Sequence, residues 1–139
     1  MSGFNRVMYV GLSVRDAARS SEWYQRVLGL AVVRENFNSS SRPSDWNEVL
    51  LRDGVSGLLI GLLQHPSNPG DEFSEFRTGL DHLEFEVSTR GELEEWLRRL
   101  DEHGVIHSEI KDEHILTFRD PDNIQLEFFL PTSGAVTSE

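Results

Sequence analysis

Residues 7–14, VMYVGLSV, alternate apolar with small or polar side chains, the two-residue period of a strand with one buried face. Asp16 follows as a candidate helix N-cap, SSEWYQRVLG continues at helical period, and Gly29 can take the left-handed conformation that ends a helix. The pattern then recurs. GLDHLEFEV (79–87) alternates again, Thr89 and Glu92 form a capping box, Leu93, Trp96, Leu97 and Leu100 follow at helical spacing, and Gly104 ends the run. Overlaid, Tyr9 falls on His82, Val14 on Val87 and Trp23 on Trp96, each pair 73 residues apart (82 − 9, 87 − 14, 96 − 23). A strand and a helix matching without a gap predict an internal repeat.

Three further strand candidates follow each helix: 31–37, 46–52 and 57–64 in the first half, and 105–110, 114–119 and 124–129 in the second. Asp53-Gly54 is a hairpin turn signal, and Pro121-Asp122-Asn123 is its counterpart, with Asn tolerating the left-handed position. The expected organisation is a first βαβββ module over 4–64, a linker over 65–75, a second module over 76–131 and a frayed tail from 132 to 139. The segments 38–45 and 65–75, rich in Ser, Pro and Asn, read as mobile loops. One helix can cover only one face of a four-stranded sheet. The fold class is therefore α+β, two βαβββ modules whose uncovered faces are expected to curve around a shared cup.

Phasing the strands names the residues of that cup. Met8, Val10, Leu12 and Val14 are expected on the helix side of the first strand, leaving Tyr9, Gly11 and Ser13 inward, with Leu59, Gly61 and Leu63 from 57–64. Leu83, Phe85 and Val87 take the helix side of the repeat strand, so His82, Glu84 and Glu86 point inward. Ile124, Leu126 and Phe128 likewise leave Gln125, Glu127 and Phe129 inward. The first wall is thus expected to be small and largely apolar, the second polar and acidic, a cup suited to an amphipathic or cationic ligand. Trp46, read as part of a strand, is the aromatic expected to touch a ligand, whereas Trp23 and Trp96 are expected in the cores.

Charge and composition narrow the chemistry. The 139 residues carry a formal net charge of −11, with no footprint for nucleic acid or an anionic membrane. No cysteine is present, which excludes disulfides, thiol nucleophiles and thiolate metal sites. Absence of a long apolar run or a leader pattern makes a soluble cytoplasmic protein the default expectation. There is no Gly-rich phosphate loop and no Gly-x-Ser-x-Gly elbow. Of the other histidines, His65 reads as a loop residue, His103 as a helix C-terminal cation, and His107 and His114 as flanking a hairpin.

The segments EWYQRVLGL, GLLIGLLQHP, DHLEFEV and FRDPDNIQLEFF resemble the vicinal oxygen chelate superfamily, which includes glyoxalase I, extradiol dioxygenases, fosfomycin-resistance enzymes and bleomycin-resistance proteins. The resemblance covers about residues 4 to 131. It implies ligand positions at Tyr9, Gly61, His82 and Glu127 for the metal-dependent members. His82 and Glu127 match the family's histidine and closing glutamate, Tyr9 replaces its other histidine, and Gly61 has no ligand atom. Two ligands are present where a catalytic Zn²⁺ or Fe²⁺ usually takes three. Glu84 or Gln125 could reach in as a substitute, or His82 and Glu127 could pair as a satisfied polar network. The resemblance therefore supports two expectations. One is a protein, patterned on the bleomycin-resistance members, that sequesters a small molecule with a degenerate metal site. The other is a lyase, isomerase or ring-cleaving dioxygenase using Zn, Fe, Mn or Ni at His82 and Glu127. Both imply a homodimer.

Overall fold

In a computed structural model of the chain, residues 2–37 and 46–131 are described. The expected loop over 38–45 and tail over 132–139 lie outside them. The chain divides into two compact units, Met1–Asp71 and Glu72–Glu139.

The first unit opens with a strand over Tyr9–Ser13 (β1) and a helix over Ala17–Leu28 (α1). Asp16 Oδ1 accepts from the Arg19 N–H at 3.0 Å, and Gly29 closes the helix at φ 72°. Strands Ala31–Asn36 (β2), Asn47–Arg52 (β3) and Leu59–Gln64 (β4) complete a sheet ordered β1-β4-β3-β2, with β1 parallel to β4 and the other pairs antiparallel. Leu12, Val14, Val49, Leu51, Ile60 and Leu62 are buried with Trp23, Tyr24, Val27 and Leu28 of α1, so one face of the sheet carries the core. The Gln64 side chain accepts from the Ala17 N–H at 2.8 Å, satisfying one unpaired donor at the helix start. Met8 was expected on the core face but precedes the strand and is exposed.

The second unit repeats the plan with a strand over His82–Glu86 (β5), a helix over Arg90–Glu102 (α2), and strands Ile115–Arg119 (β6) and Gln125–Phe129 (β7). Strand and helix starts keep the 73-residue offset (82 − 9, 90 − 17). The Glu92 N–H donates to Thr89 Oγ1 at 3.1 Å, one half of the expected capping box, and Glu92 Oε2 reaches back one residue further, accepting from the Ser88 N–H at 2.7 Å. Leu93, Leu100, Leu116, Phe118, Leu126 and Phe128 are buried, and Trp96 stacks on Phe128 with centroids 4.2 Å apart.

The expected strand at 105–110 is not formed; the sheet is three-stranded, β5-β7-β6. The segment pairs with β6 at isolated bridges, His107 to Phe118 and Lys111 to Ile115, with the Ser108 N–H donating to the Thr117 carbonyl at 2.8 Å. Side chains take other ladder groups: Ser108 Oγ accepts from the Thr117 N–H at 3.0 Å and His107 Nδ1 lies 2.6 Å from the Ser108 carbonyl, while Asp101 of α2 holds the other ring nitrogen. Both turns form, with one correction. Asn123 takes φ 67°, with Asp120 Oδ1 accepting from the Asp122 and Ile124 N–H groups at 2.8 Å each. Between β3 and β4 the left-handed residue is Gly57 (φ 77°), not Gly54. Asp53 organises that longer turn by accepting from the Ser56 N–H at 2.7 Å.

Candidate functional site

The two sheets share a register. Tyr9 pairs with Leu59 and Gly11 with Gly61 across β1 and β4; His82 pairs with Gln125 and Glu84 with Glu127 across β5 and β7. Positions 9 and 82 are therefore equivalent, as are 61 and 127. What stands at those places differs sharply between the units.

On the open face of the second sheet, His82 Nδ1 lies 2.6 Å from Asp81 Oδ1, which holds the ring and leaves Nε2 facing the acids. That nitrogen is 3.2 Å from Glu84 Oε2 and 3.8 Å from Glu127 Oε2. Glu127 is only 8 % exposed; its Oε1 accepts from Gln125 Nε2 at 2.8 Å and from Thr117 Oγ1 at 3.4 Å. One ligand atom from each of His82, Glu84 and Glu127 falls within 4.8 Å of the others. The hydrogen bond to Asp81 raises the His82 pKa above its ordinary 6.5, against a desolvation that lowers it, and Glu84 and Glu127 add to the rise. A nitrogen and two carboxylates, one of them buried, suit Mn²⁺, Fe²⁺ or Zn²⁺. Phe129 lies further along the same face with its ring against His114, centroids 5.2 Å apart.

On the open face of the first sheet, Tyr9 folds down onto the backbone. A Cβ added at Gly61 would overlap its hydroxyl and lie 2.6 Å from Cζ, and one at Gly11 would lie 3.3 Å from Cε1. Burial raises the phenol above its ordinary 10.0, Glu48 adding to the rise and Arg34 opposing it. Leu59 and Leu63 are half-buried on this face and Ser13 is exposed, as their phase requires. The face is less apolar than expected. Glu48 and Arg52 sit opposite Leu63 and Leu59, and Arg34 sits opposite Leu50, with Arg34 Nη2 donating to Glu48 at 2.8 Å. Arg34 escapes the sequence reading because β2 has a register shift between Val32 and Arg34, so its alternation changes phase midway. Trp46 is not in a strand: it precedes β3, 43 % exposed, its ring 6.1 Å from His65.

The chain is thus a tandem α+β repeat with an imidazole–carboxylate cluster on the open face of its second sheet. The sequence profile of the Glyoxalase/Bleomycin resistance protein/Dioxygenase superfamily matches residues 4–128, and the chain belongs to that superfamily. Among solved structures it is similar to a glyoxylase/bleomycin resistance protein/dioxygenase domain from Frankia sp. EAN1pec: 32% identity, 95% of this chain and 96% of that one covered, TM-score 0.81. It is also similar to a mutant of the fosfomycin resistance protein FosX from Listeria monocytogenes, complexed with Mn(II) and 1S,2S-dihydroxypropylphosphonic acid. There the identity is 19%, with 95% and 94% covered and a TM-score of 0.69. A glyoxalase family protein from Enterococcus faecalis gives 24% identity, 91% and 98% covered, and a TM-score of 0.71. No curated protein matches.

Proposed function

We propose that this chain binds a divalent metal at His82 and Glu127 and uses the site to act on a small molecule bearing adjacent oxygens, as a lyase, isomerase or dioxygenase. The observation that carries the reading is the convergence of imidazole and carboxylate donors within 4.8 Å on one face of the second sheet. When bound, the metal supplies Lewis-acid polarisation of substrate oxygens. The protein's part is positional. Asp81 fixes the imidazole so that Nε2 faces Glu127, while Gln125 and Thr117 fix the carboxylate. The Mn(II) held by FosX makes Mn²⁺ the first ion to test. Metal analysis of the full chain, purified without chelators or a histidine tag, is expected to find a divalent ion. Mn²⁺ titration of stripped protein is expected to reach one ion per chain and to fail in His82→Ala.

A metal-free reading has its own support. His82 is already held by Asp81 and Glu84, and Glu127 by Gln125, so the cluster is satisfied without an ion. On that reading the site sequesters a cationic or amphipathic ligand, with exposed Glu84 and Glu86 facing it, and the wild-type titration shows no stoichiometric uptake. Either reading takes the protein as a cytoplasmic homodimer; β1 ends its sheet as an edge strand, and Phe4, Val7 and Met8 leading into it are exposed.

A further inference from the structure

Each unit ends one of its strands on an arginine at the same place in the repeat, and the two arginines are partnered differently. Arg119 ends β6 opposite Gln125, in the row of His82; Arg52 ends β3 opposite Leu59, in the row of Tyr9. By that register each stands on the open face of its own sheet. In the second unit the position is closed from within. Glu75, in the segment leading to β5, accepts from Arg119 Nη1 and Nη2 at 3.1 Å each, a guanidinium fork gripping a carboxylate.

In the first unit the segment leading to β1 brings a second arginine, Arg6, and not an acid. A Cβ placed on Gly57, in the β3–β4 turn, would lie 3.5 Å from Arg52 Nη2 and 4.0 Å from Arg6 Nη1, so two guanidinium groups distant in sequence approach one point. Gly57, left-handed at φ 77°, keeps that point free of a side chain. Both arginines are exposed, and among the described residues neither guanidinium has a hydrogen-bond or ion-pair partner. Acids of the same sheet and turn are committed elsewhere. Asp53 Oδ2 accepts from the Ser56 N–H at 2.7 Å and from its Oγ at 2.6 Å, and Glu48 is taken by Arg34 at 2.8 Å. In a chain with 24 acids against 13 bases, two convergent cations without an acid repel each other and do nothing to hold the turn.

We infer that Arg6 and Arg52 form a binding site for a small oxyanion, with a doubly charged phosphate group its best fit. Arg119 shows what an arginine at this position takes; in the first unit the anion comes from a ligand. Two guanidinium forks offer more donors than one carboxylate can accept, and two positive charges match a dianion, so phosphate or a phosphate monoester binds ahead of acetate. The net charge of the chain repels anions at long range, so recognition falls to these two side chains and weakens as salt screens them. The site uses no metal and none of His82, Glu84 or Glu127, and it stands or falls apart from the proposed function.

The test is amide NMR of the full chain during titration with inorganic phosphate at constant ionic strength, with acetate and chloride as comparison arms. Circular dichroism checks that Arg6→Gln, Arg52→Gln and Arg119→Gln are folded. Arg6 precedes β1, so Arg6→Gln keeps the test open should Arg52→Gln fail to fold. Wild type is expected to show saturable shifts at Gly57 and its neighbours, with acetate binding more weakly. Phosphate affinity is expected to fall by about tenfold in Arg6→Gln and in Arg52→Gln and to stay within about twofold of wild type in Arg119→Gln. Shifts that fail to saturate, that chloride reproduces, or that persist unchanged in either Arg6→Gln or Arg52→Gln overturn the inference. Loss of binding in Arg119→Gln moves the anion to the second unit and overturns it as well. Acetate binding as tightly as phosphate overturns the assignment to a dianion.

Discussion

At the scale of single residues, the glycine at 61 and the tyrosine at 9 form one unit of packing. Gly61→Ala is expected to push the ring off its floor, with a cost of about 1 kcal/mol because Tyr9 is 40 % exposed and can swing outward. The same change in a Tyr9→Ala background is expected to be nearly neutral, and urea denaturation of the double-mutant cycle measures the coupling. Absorbance titration of Gly61→Ala should show the Tyr9 phenol moving down toward its ordinary pKa. In the second unit, Gln125→Leu removes the donor that holds Glu127 and is expected to weaken Mn²⁺ binding by about tenfold, measured by calorimetry. His82, Glu84, Gln125 and Glu127 could be placed on one face from alternation alone, because β5 and β7 run without interruption. Arg34 could not, because the irregularity after Val32 reverses the phase and leaves no compositional mark.

Among the elements, both helices were readable from their ends, since Asp16 and Thr89 bond the first turns as their chemistry requires. The segment after α2 was not, because His107 and Ser108 satisfy backbone and side-chain partners that regular pairing would have taken. His107 also fixes that segment to α2. Its bond to the Ser108 carbonyl, then its pairing with Asp101, raise its pKa above the ordinary 6.5 despite desolvation. Protonated His107 is therefore favoured in the folded state. Its contribution is fully present below the unfolded pKa and is lost as pH rises through the higher folded value. His107→Gln is expected to lower the urea midpoint more at about pH 5.5 than at about pH 8.5, relative to wild type. A gap that widens instead toward alkaline pH rules out this account. The β6–β7 turn depends similarly on Asp120. Asp120→Ala leaves two buried N–H donors without their acceptor and is expected to cost about 1–3 kcal/mol by the same denaturation measurement.

For the whole molecule, the metal proposed at His82 and Glu127 has a thermodynamic signature. An ion at a hundred times its dissociation constant stabilises the state that binds it by about 2.7 kcal/mol. Hydrogen exchange with and without Mn²⁺ is expected to show added protection in β5 and β7. Sedimentation at micromolar concentration tests the proposed dimer; among the described residues no helix is long and apolar enough to cross a membrane.

The phenol lying on two glycines also carries a spectroscopic consequence. An aromatic ring held against a methylene shifts its resonances through the circulating electrons. The α-protons of Gly11 and Gly61 should therefore resonate away from ordinary glycine values, the two protons of each methylene displaced unequally. Both glycines belong to the first unit's sheet, so their signals report on the floor beneath Tyr9. Their collapse toward ordinary values in Tyr9→Ala, with the rest of the spectrum kept, would show the ring resting on the sheet in solution.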